Sequence, residues 1–248
     1  VEVRLFNPLA LRTTRTLGLL FDFARTNRRM HNKSFTVDNQ FTIVGGRNIG
    51  DEYFEANLDV DFGDLDVLTI GAAVAEVSGL FDRYWNSPAV YAITDLTTAR
   101  PGEDEYVKAR ASLEEFVRAQ RGQDYAQALR ESALAGQLHA GKIPFTPAQI
   151  RVLADDPAKV EEPDGDLSKN LRPQLMPEFA GLRERLVMVS PYFVPGDEGV
   201  ASLRRLRESG VRVRVLTNSL ASTDEPAVYA GYEKYQRPLL EAGIELYE

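Results

Sequence analysis

The chain has no cysteine, only two histidines and one tryptophan, and no excess of positive charge. Without cysteine, disulfides and thiolate chemistry are excluded, and the redox compartment is left open. No apolar run approaches the roughly 18 residues of a membrane span, and the first residues carry no signal-peptide pattern. The chain begins without Met in a strand-like run, which leaves room for an earlier targeting segment. With 29 basic against 37 acidic residues the formal charge is −8, which excludes indiscriminate nucleic-acid binding through a broad basic surface. What is present is ordinary for a globular protein: 44% hydrophobic and 27% charged residues over 248 positions, enough for one large domain or two modest ones.

The charge is unevenly spread. Between Arg4 and Lys33, the bases Arg4, Arg12, Arg15, Arg25, Arg28, Arg29 and Lys33 face a single acid, Asp22. Asp51, Glu52, Glu55, Asp59, Asp61, Asp64 and Asp66 then follow with no base between them. A basic patch suits a phosphate head group or an anionic lipid surface. Solvated charge on helices and loops accounts equally well for any one of these arginines.

The chemistry concentrates in Met30–Phe54, MHNKSFTVDNQFTIVGGRNIGDEYF. Residues 31–37 and 41–45 read as strands, rich in β-branched and aromatic side chains, around the turn-forming Asp38-Asn39-Gln40. Alternation along a strand puts His31 and Lys33 on one side. A two-residue loop at Asn39-Gln40 sets His31 opposite Asn48 and Lys33 opposite Gly46. Gly46, lacking a side chain, would then leave an anion-sized space beside an imidazole, an ammonium and an amide. An imidazole can attack phosphorus, and Lys33 and Asn48 can hold the non-bridging oxygens as charge rearranges. Asp38 is a candidate for the same site, or a turn residue whose carboxylate caps backbone amides. A lone strand histidine is ordinarily inert; Lys at +2, Asp at +7 and Gly-Gly-x-Asn behind it argue otherwise. A metal site fits poorly, because Lys33 stands where a ligand would be.

These residues, H-x-K-(x)4-D followed by G-G-x-N, resemble the signature of the phospholipase D superfamily, with His31, Lys33, Asp38 and Asn48 on the motif positions. The flanks RLFNPL, GGRNIGDEYF, DLDVL and FDRYWNS are similar to the bacterial cardiolipin synthase branch. The resemblance implies that one motif histidine forms a phosphohistidine and a second protonates the leaving alcohol, with no metal and no cofactor. It also implies that a carboxylate on the strand after the hairpin orients a histidine, for which Asp64 is the candidate.

Along the rest of the chain, Val1–Phe6 alternates as a strand, Thr16–Ala24 reads as a short apolar helix, and Ile49–Asp61 as loop. Asp64–Ile70 is a strand. Gly71–Trp85 is an amphipathic helix whose Val74, Val77, Phe81, Tyr84 and Trp85 form an apolar stripe assigned to the core. Residues 87–102 read as a connection, Glu103–Leu138 as helix broken near Gly122, Ala148–Ala154 as a strand and Asp155–Lys169 as a polar loop. His139, at a helix end, has no motif around it. The strands 186–194, 211–216 and 243–247 alternate with the helices 199–209 and 225–242. This order predicts an α/β fold with a mixed, largely parallel sheet and helices on both faces. Tyr192 and Asn218 follow two of these strands, where open α/β sheets place ligands.

EAGIELYE echoes ESGVRVRVL, and GIELYE alternates as VEVRLF does, which suggests an internal repeat. The expected organisation is a phospholipase D-like pseudo-twofold pair: residues 1–180 as a first, N-terminally truncated half and 181–248 as the start of a second. A second His-x-Lys would lie about 20–30 residues beyond Glu248. The expected activity is phosphatidyl transfer on a phosphatidylglycerol-like phospholipid at an anionic membrane surface, peripheral on the cytoplasmic side of a bacterial inner membrane. Nucleic acid is not the expected partner. The alternatives are phospholipase D hydrolysis, a nuclease-type phosphodiesterase, or an inactive lipid-binding fragment.

Overall fold

The computed structural model describes residues 1–9, 25, 28–54, 61–97, 101–120, 124–162 and 166–248. The apolar segment 16–24, Arg12, Arg15, Glu55, Asp59 and the break at Gly122 lie outside them. The chain divides into two units, Val1–Leu171 and Arg172–Glu248.

In the first unit, β1 (Arg4–Phe6) opens the chain, and β2 (Ser34–Val37), β3 (Phe41–Gly45) and β4 (Asp66–Ile70) form an antiparallel sheet in that order. Gly71, at φ 82°, turns the chain from β4 into helix α1 (Ala72–Trp85). This conformation suits a residue without a Cβ. α1 packs on the sheet through Val74, Val77 and Tyr84, all buried. Beneath it Thr42 is fully buried and its hydroxyl meets that of Thr36 at 2.8 Å, so the polar pair is satisfied where it is enclosed. β5 (Val90–Ala92) pairs antiparallel with β1, and α2 (Ile93–Leu96), α3 (Glu103–Gln120), α4 (Asp124–Glu131) and α5 (Ala133–His139) follow.

The stretch expected as a connection therefore contains β5, a strand of three residues that is too short to stand out from its prolines. Residues 148–154, expected as a strand, take no regular structure and pair with nothing as a ladder. Pro144 and Pro147 just ahead withhold the amide hydrogens that an entering strand would use. The polar loop after it holds a 3-10 turn, Pro157–Glu161, with Pro157 and Val160 buried.

In the second unit, α6 (Leu171–Ala180, whose first residue closes the first unit) leads to β6 (Arg185–Val189). Then come α7 (Gly196–Glu208), β7 (Arg212–Leu216), α8 (Pro226–Glu241) and β8 (Glu245–Tyr247). The three strands are parallel, in the order β6-β7-β8. Val213 and Val215 of β7 are 0% exposed against Leu203 of α7 and Tyr232 and Leu239 of α8. On the opposite face Val187, Val189 and Leu216 remain exposed, and Arg214 pairs with Glu245 at 2.7 Å.

The mixed α/β class is as expected, but its details differ. Every described strand pairing of the first unit is antiparallel, and parallel pairing is confined to the second. The helices of the second unit cover one sheet face rather than two. The cause is connection length: a three-residue turn forces β2 and β3 antiparallel, whereas whole helices separate β6, β7 and β8. Truncating Leu239 to Ala is expected to cost the second unit about 2–5 kcal/mol, read as a lowered midpoint in chemical unfolding.

Candidate active site

The hairpin that carries His31 and Lys33 closes differently from the simplest two-residue turn. Ser34 pairs with Val44 and Val37 with Phe41, leaving Asp38, Asn39 and Gln40 in the loop. Asp38 and Asn39 adopt φ of 50° and 52°, a left-handed conformation that Asp and Asn tolerate better than other side chains. The Gln40 amide then donates to Val37 O at 2.9 Å. The third loop residue shifts the register by one, and a one-residue shift changes every cross-strand partner. Lys33 lies opposite Gly45, whose amide donates to Lys33 O at 3.4 Å, and not opposite Gly46.

The space beside the glycines is also not what the pattern implied. A β-carbon on Gly45 would stand 1.6 Å from Oδ1 of Asp66, and one on Gly46 would stand 2.5 Å from both oxygens of Asp64. The vacancy opposite Gly46 is thus filled by a carboxylate. Asp66 Oδ2 is bound by Arg47 Nη1 at 2.6 Å, and this hydrogen bond is the main reason the Arg47 guanidinium titrates above its ordinary range. Arg47 Nε donates to Tyr53 O at 2.9 Å, and Asn48 Nδ2 donates to the Tyr53 hydroxyl at the same distance. Arg47 and Asn48 together hold the loop after β3 against the short turn Asp51–Tyr53.

Open space lies instead beside His31 and Lys33. A cavity of about 340 Å³ is lined by His31, Lys33, Ser34, Gly45 and residues of β1, α1 and 152–154. Lys33 Nζ donates to His31 O at 2.9 Å, and His31 Nδ1 lies 3.3 Å from Arg29 O. With its proton on Nδ1, donated to that carbonyl, the imidazole keeps a lone pair on Nε2. Of the motif positions, His31 and Lys33 share the cavity. Asn48 and Gly46 are not among its lining residues, and Asp38 sits in the turn. Asp64 lies over Gly46 and accepts from the Leu65 amide at 2.7 Å. In the second unit Tyr192 donates to Asp224 Oδ1 at 2.6 Å, and Asn218 lines a small cleft with Pro191 and Tyr229. His139 Nδ1 lies 2.7 Å from Ala135 O of its own helix.

Pattern reading missed the cavity wall. Phe81 and Trp85, assigned to the core, stack at 5.4 Å and line the cavity, with Phe81 51% exposed. Arg4 covers the Trp85 ring at 4.3 Å and donates to Trp85 O at 2.7 Å. Two other arginines of the basic stretch do structural work as well: Arg25 bonds Asn7 and Arg28 bonds the carbonyls of Lys159 and Glu162. Tyr84, at the base of the cavity, donates to Asp155 O at 3.1 Å. Burial, with the charge of Asp155 adding to it, pushes its hydroxyl up to about 12. The doublet GG facing DLD was the one signal in the sequence for the close approach of β3 and β4.

Residues 177–248 match the family model described as "Cardiolipin synthase, PLD-like domain". Over its whole length the chain is 43% identical to Cardiolipin synthase C of Escherichia coli, of which it covers 52%. It is 24% identical over 90% of its length to Cardiolipin synthase 2 of Bacillus cereus, covering 35% of that protein. Among solved structures, the crystal structure of phosphatidylserine synthase from Haemophilus influenzae matches with a TM-score of 0.47 at 17% identity, over 88% of this chain and 47% of that one. The chain therefore spans about half the length, or less, of the curated relatives it matches.

Two outcomes follow from this geometry. Gly45→Ala is expected to lose about 1–3 kcal/mol, since the added methyl meets both the Asp66 carboxylate and the Leu65 carbonyl, held at 2.9 Å; thermal unfolding measures it. Tyr84 gives a pH signature. Its folded pKa lies above the unfolded value of about 10, so the folded form keeps a proton that the unfolded form releases. The Tyr84 contribution to stability is complete below pH of about 10 and falls as pH rises through that value toward 12. Tyr84→Phe should flatten that alkaline slope in urea titrations.

Proposed function

We propose that the protein of which this chain is part transfers phosphatidyl groups between lipid alcohols, with His31 as nucleophile. The reading rests on one observation above others: His31 and Lys33 line one cavity whose remaining wall is largely apolar. In the proposed step, Nε2 of His31 forms a bond to phosphorus and the bond from phosphorus to the alcohol oxygen breaks. The departing oxygen takes a proton from a general acid. Lys33 balances charge on the non-bridging oxygens. An acceptor alcohol then reverses the sequence and frees the imidazole. The similarity to cardiolipin synthases supports a second lipid's glycerol as acceptor; with water, the same intermediate yields a phosphatidic acid. Asn48, Asp38 and Asp64 are assigned positioning roles, Asn48 through Tyr53 and Asp64 through Gly46.

The general acid is assigned to a second histidine motif outside these 248 residues. His139, the other histidine in the sequence, is engaged with its own helix. Peripheral association with an anionic membrane on its cytoplasmic side is part of the proposal; no helix among the described residues is long and apolar enough to cross a membrane.

The test is product analysis of the full-length protein on phosphatidylglycerol and, separately, on single-stranded DNA, both with chelator. Lipid turnover with DNA untouched is expected, and the product (diphosphatidyl lipid or phosphatidic acid) names the acceptor. His31→Ala should abolish turnover and Lys33→Ala should lower it by about 10²–10³ with the fold retained. Full activity in His31→Ala would remove the nucleophile assignment. The 248-residue chain alone is expected to show little or no turnover.

A further inference from the structure

We infer that Asn32, between His31 and Lys33, is a positioning residue: its side-chain amide, donated to the Tyr84 hydroxyl oxygen, fixes where the imidazole and the ammonium stand. The inference rests on His31 attacking phosphorus and adds what holds it in place. Both reactive side chains precede the strand ladder, whose first pair is Ser34 with Val44. A long hydrogen bond from the Gly45 amide to Lys33 O, 3.4 Å, ties them loosely to β3. Lys33 Nζ and His31 Nδ1 turn to backbone carbonyls of their own short segment, those of His31 and Arg29. Bonds of that kind move with the segment and cannot anchor it. The anchor has to come from the layer behind.

Asn32 supplies it. It lines the same cavity, and its Nδ2 is enclosed with no hydrogen bond among the described residues. A buried donor without an acceptor is costly, so each one calls for an explanation. Tyr84 is placed to accept. It is 5% exposed, and its ring centre lies 5.1 Å from that of Phe6 on β1. Its hydroxyl hydrogen goes to Asp155 O at 3.1 Å, which leaves the oxygen lone pairs for a second partner. Burial and the charge of Asp155 push that hydroxyl up, and the Asn32 amide pulls the other way. The two groups thus sense each other across a gap that a small shift closes, as catalytic hydrogen bonds do when they tighten around a bound ligand. Asp155 is held in turn, its two carboxylate oxygens taken by Lys159 Nζ and, at 2.5 Å, by the Leu171 amide. Asn32, Tyr84 and Asp155 therefore lead from the reactive segment to a fixed turn. A displacement of about 1 Å at such a site costs about 10²-fold in rate.

The test is steady-state kinetics of the full-length protein on phosphatidylglycerol with Asn32→Leu, Tyr84→Phe and the double variant, alongside urea unfolding of each. Each single variant is expected to lower kcat about 10- to 100-fold with KM within about twofold. The double variant is expected to lose no more than the worse single one. Stability should behave differently. Replacing both partners by apolar groups of like shape removes the stranded amide, so the double variant's urea midpoint should exceed that of Tyr84→Phe. Recovery of kcat along with the midpoint makes the pair merely structural and overturns the inference. Losses that multiply in the double variant, or an unchanged kcat in folded Asn32→Leu, overturn it too. Asn32→Ala takes the place of Asn32→Leu should that variant not fold. Full turnover in His31→Ala fells the nucleophile reading and the positioning role with it. Dependence on His31 with independent losses at Asn32 and Tyr84 fells the positioning role alone.

Discussion

Two carboxylates occupy the places where the β-carbons of Gly45 and Gly46 would be. This close approach of β4 to the end of β3 is the constraint around which the first unit is arranged. Any larger residue at Gly45 would push Asp66 off Arg47, and with it the contacts of Arg47 to Tyr53. The loop carrying Asn48 is therefore tied to the third strand rather than to the histidine. The cavity is lined by His31 and Lys33, with Gly45 at its border.

Around that anchor, the site is assembled from short pieces whose own stability is slight. β2 has four residues and β1 three, so neither could hold a side chain in place without the layers behind it. α1 supplies the layer. Val74, Val77 and Tyr84 are buried against the sheet, and Val77, Phe81, Tyr84 and Trp85 also line the cavity. The helix thus serves the core and the cavity with one apolar stripe. An apolar stripe looks the same in sequence for both purposes.

Charge is handled locally in this protein. Three arginines of the basic stretch before the hairpin cap carbonyl oxygens or cover a ring: Arg4 on Trp85, Arg25 on Asn7, Arg28 on the 159–162 turn. The acidic stretch after the hairpin resolves in part into Asp64 and Asp66 over the glycines. Lys33, folded back onto the His31 carbonyl, has no carboxylate partner among the described residues. A net negative chain can thus present a cation at one cavity without a broad basic face.

The sequence by itself determined the elements that short-range chemistry governs: the hairpin, the α1 stripe, the β-α-β-α-β order of the second unit and the company of His31 and Lys33. Each follows from periodicity, turn residues or spacing, which act over a few positions. What only the tertiary structure decided was the register, the pairing of β1 with β5 and the place where the space opens. The left-handed pair Asp38 and Asn39 lengthened the loop by one residue, and Asn39 Oδ1 accepts a hydrogen bond from Ser78 of α1 at 2.7 Å. Whether a glycine leaves a gap or admits a neighbour depends on atoms some 20 positions away, Asp64 and Asp66. The same separation hid the role of Phe81 and Trp85, since burial is a property of what lies opposite and not of the residue itself.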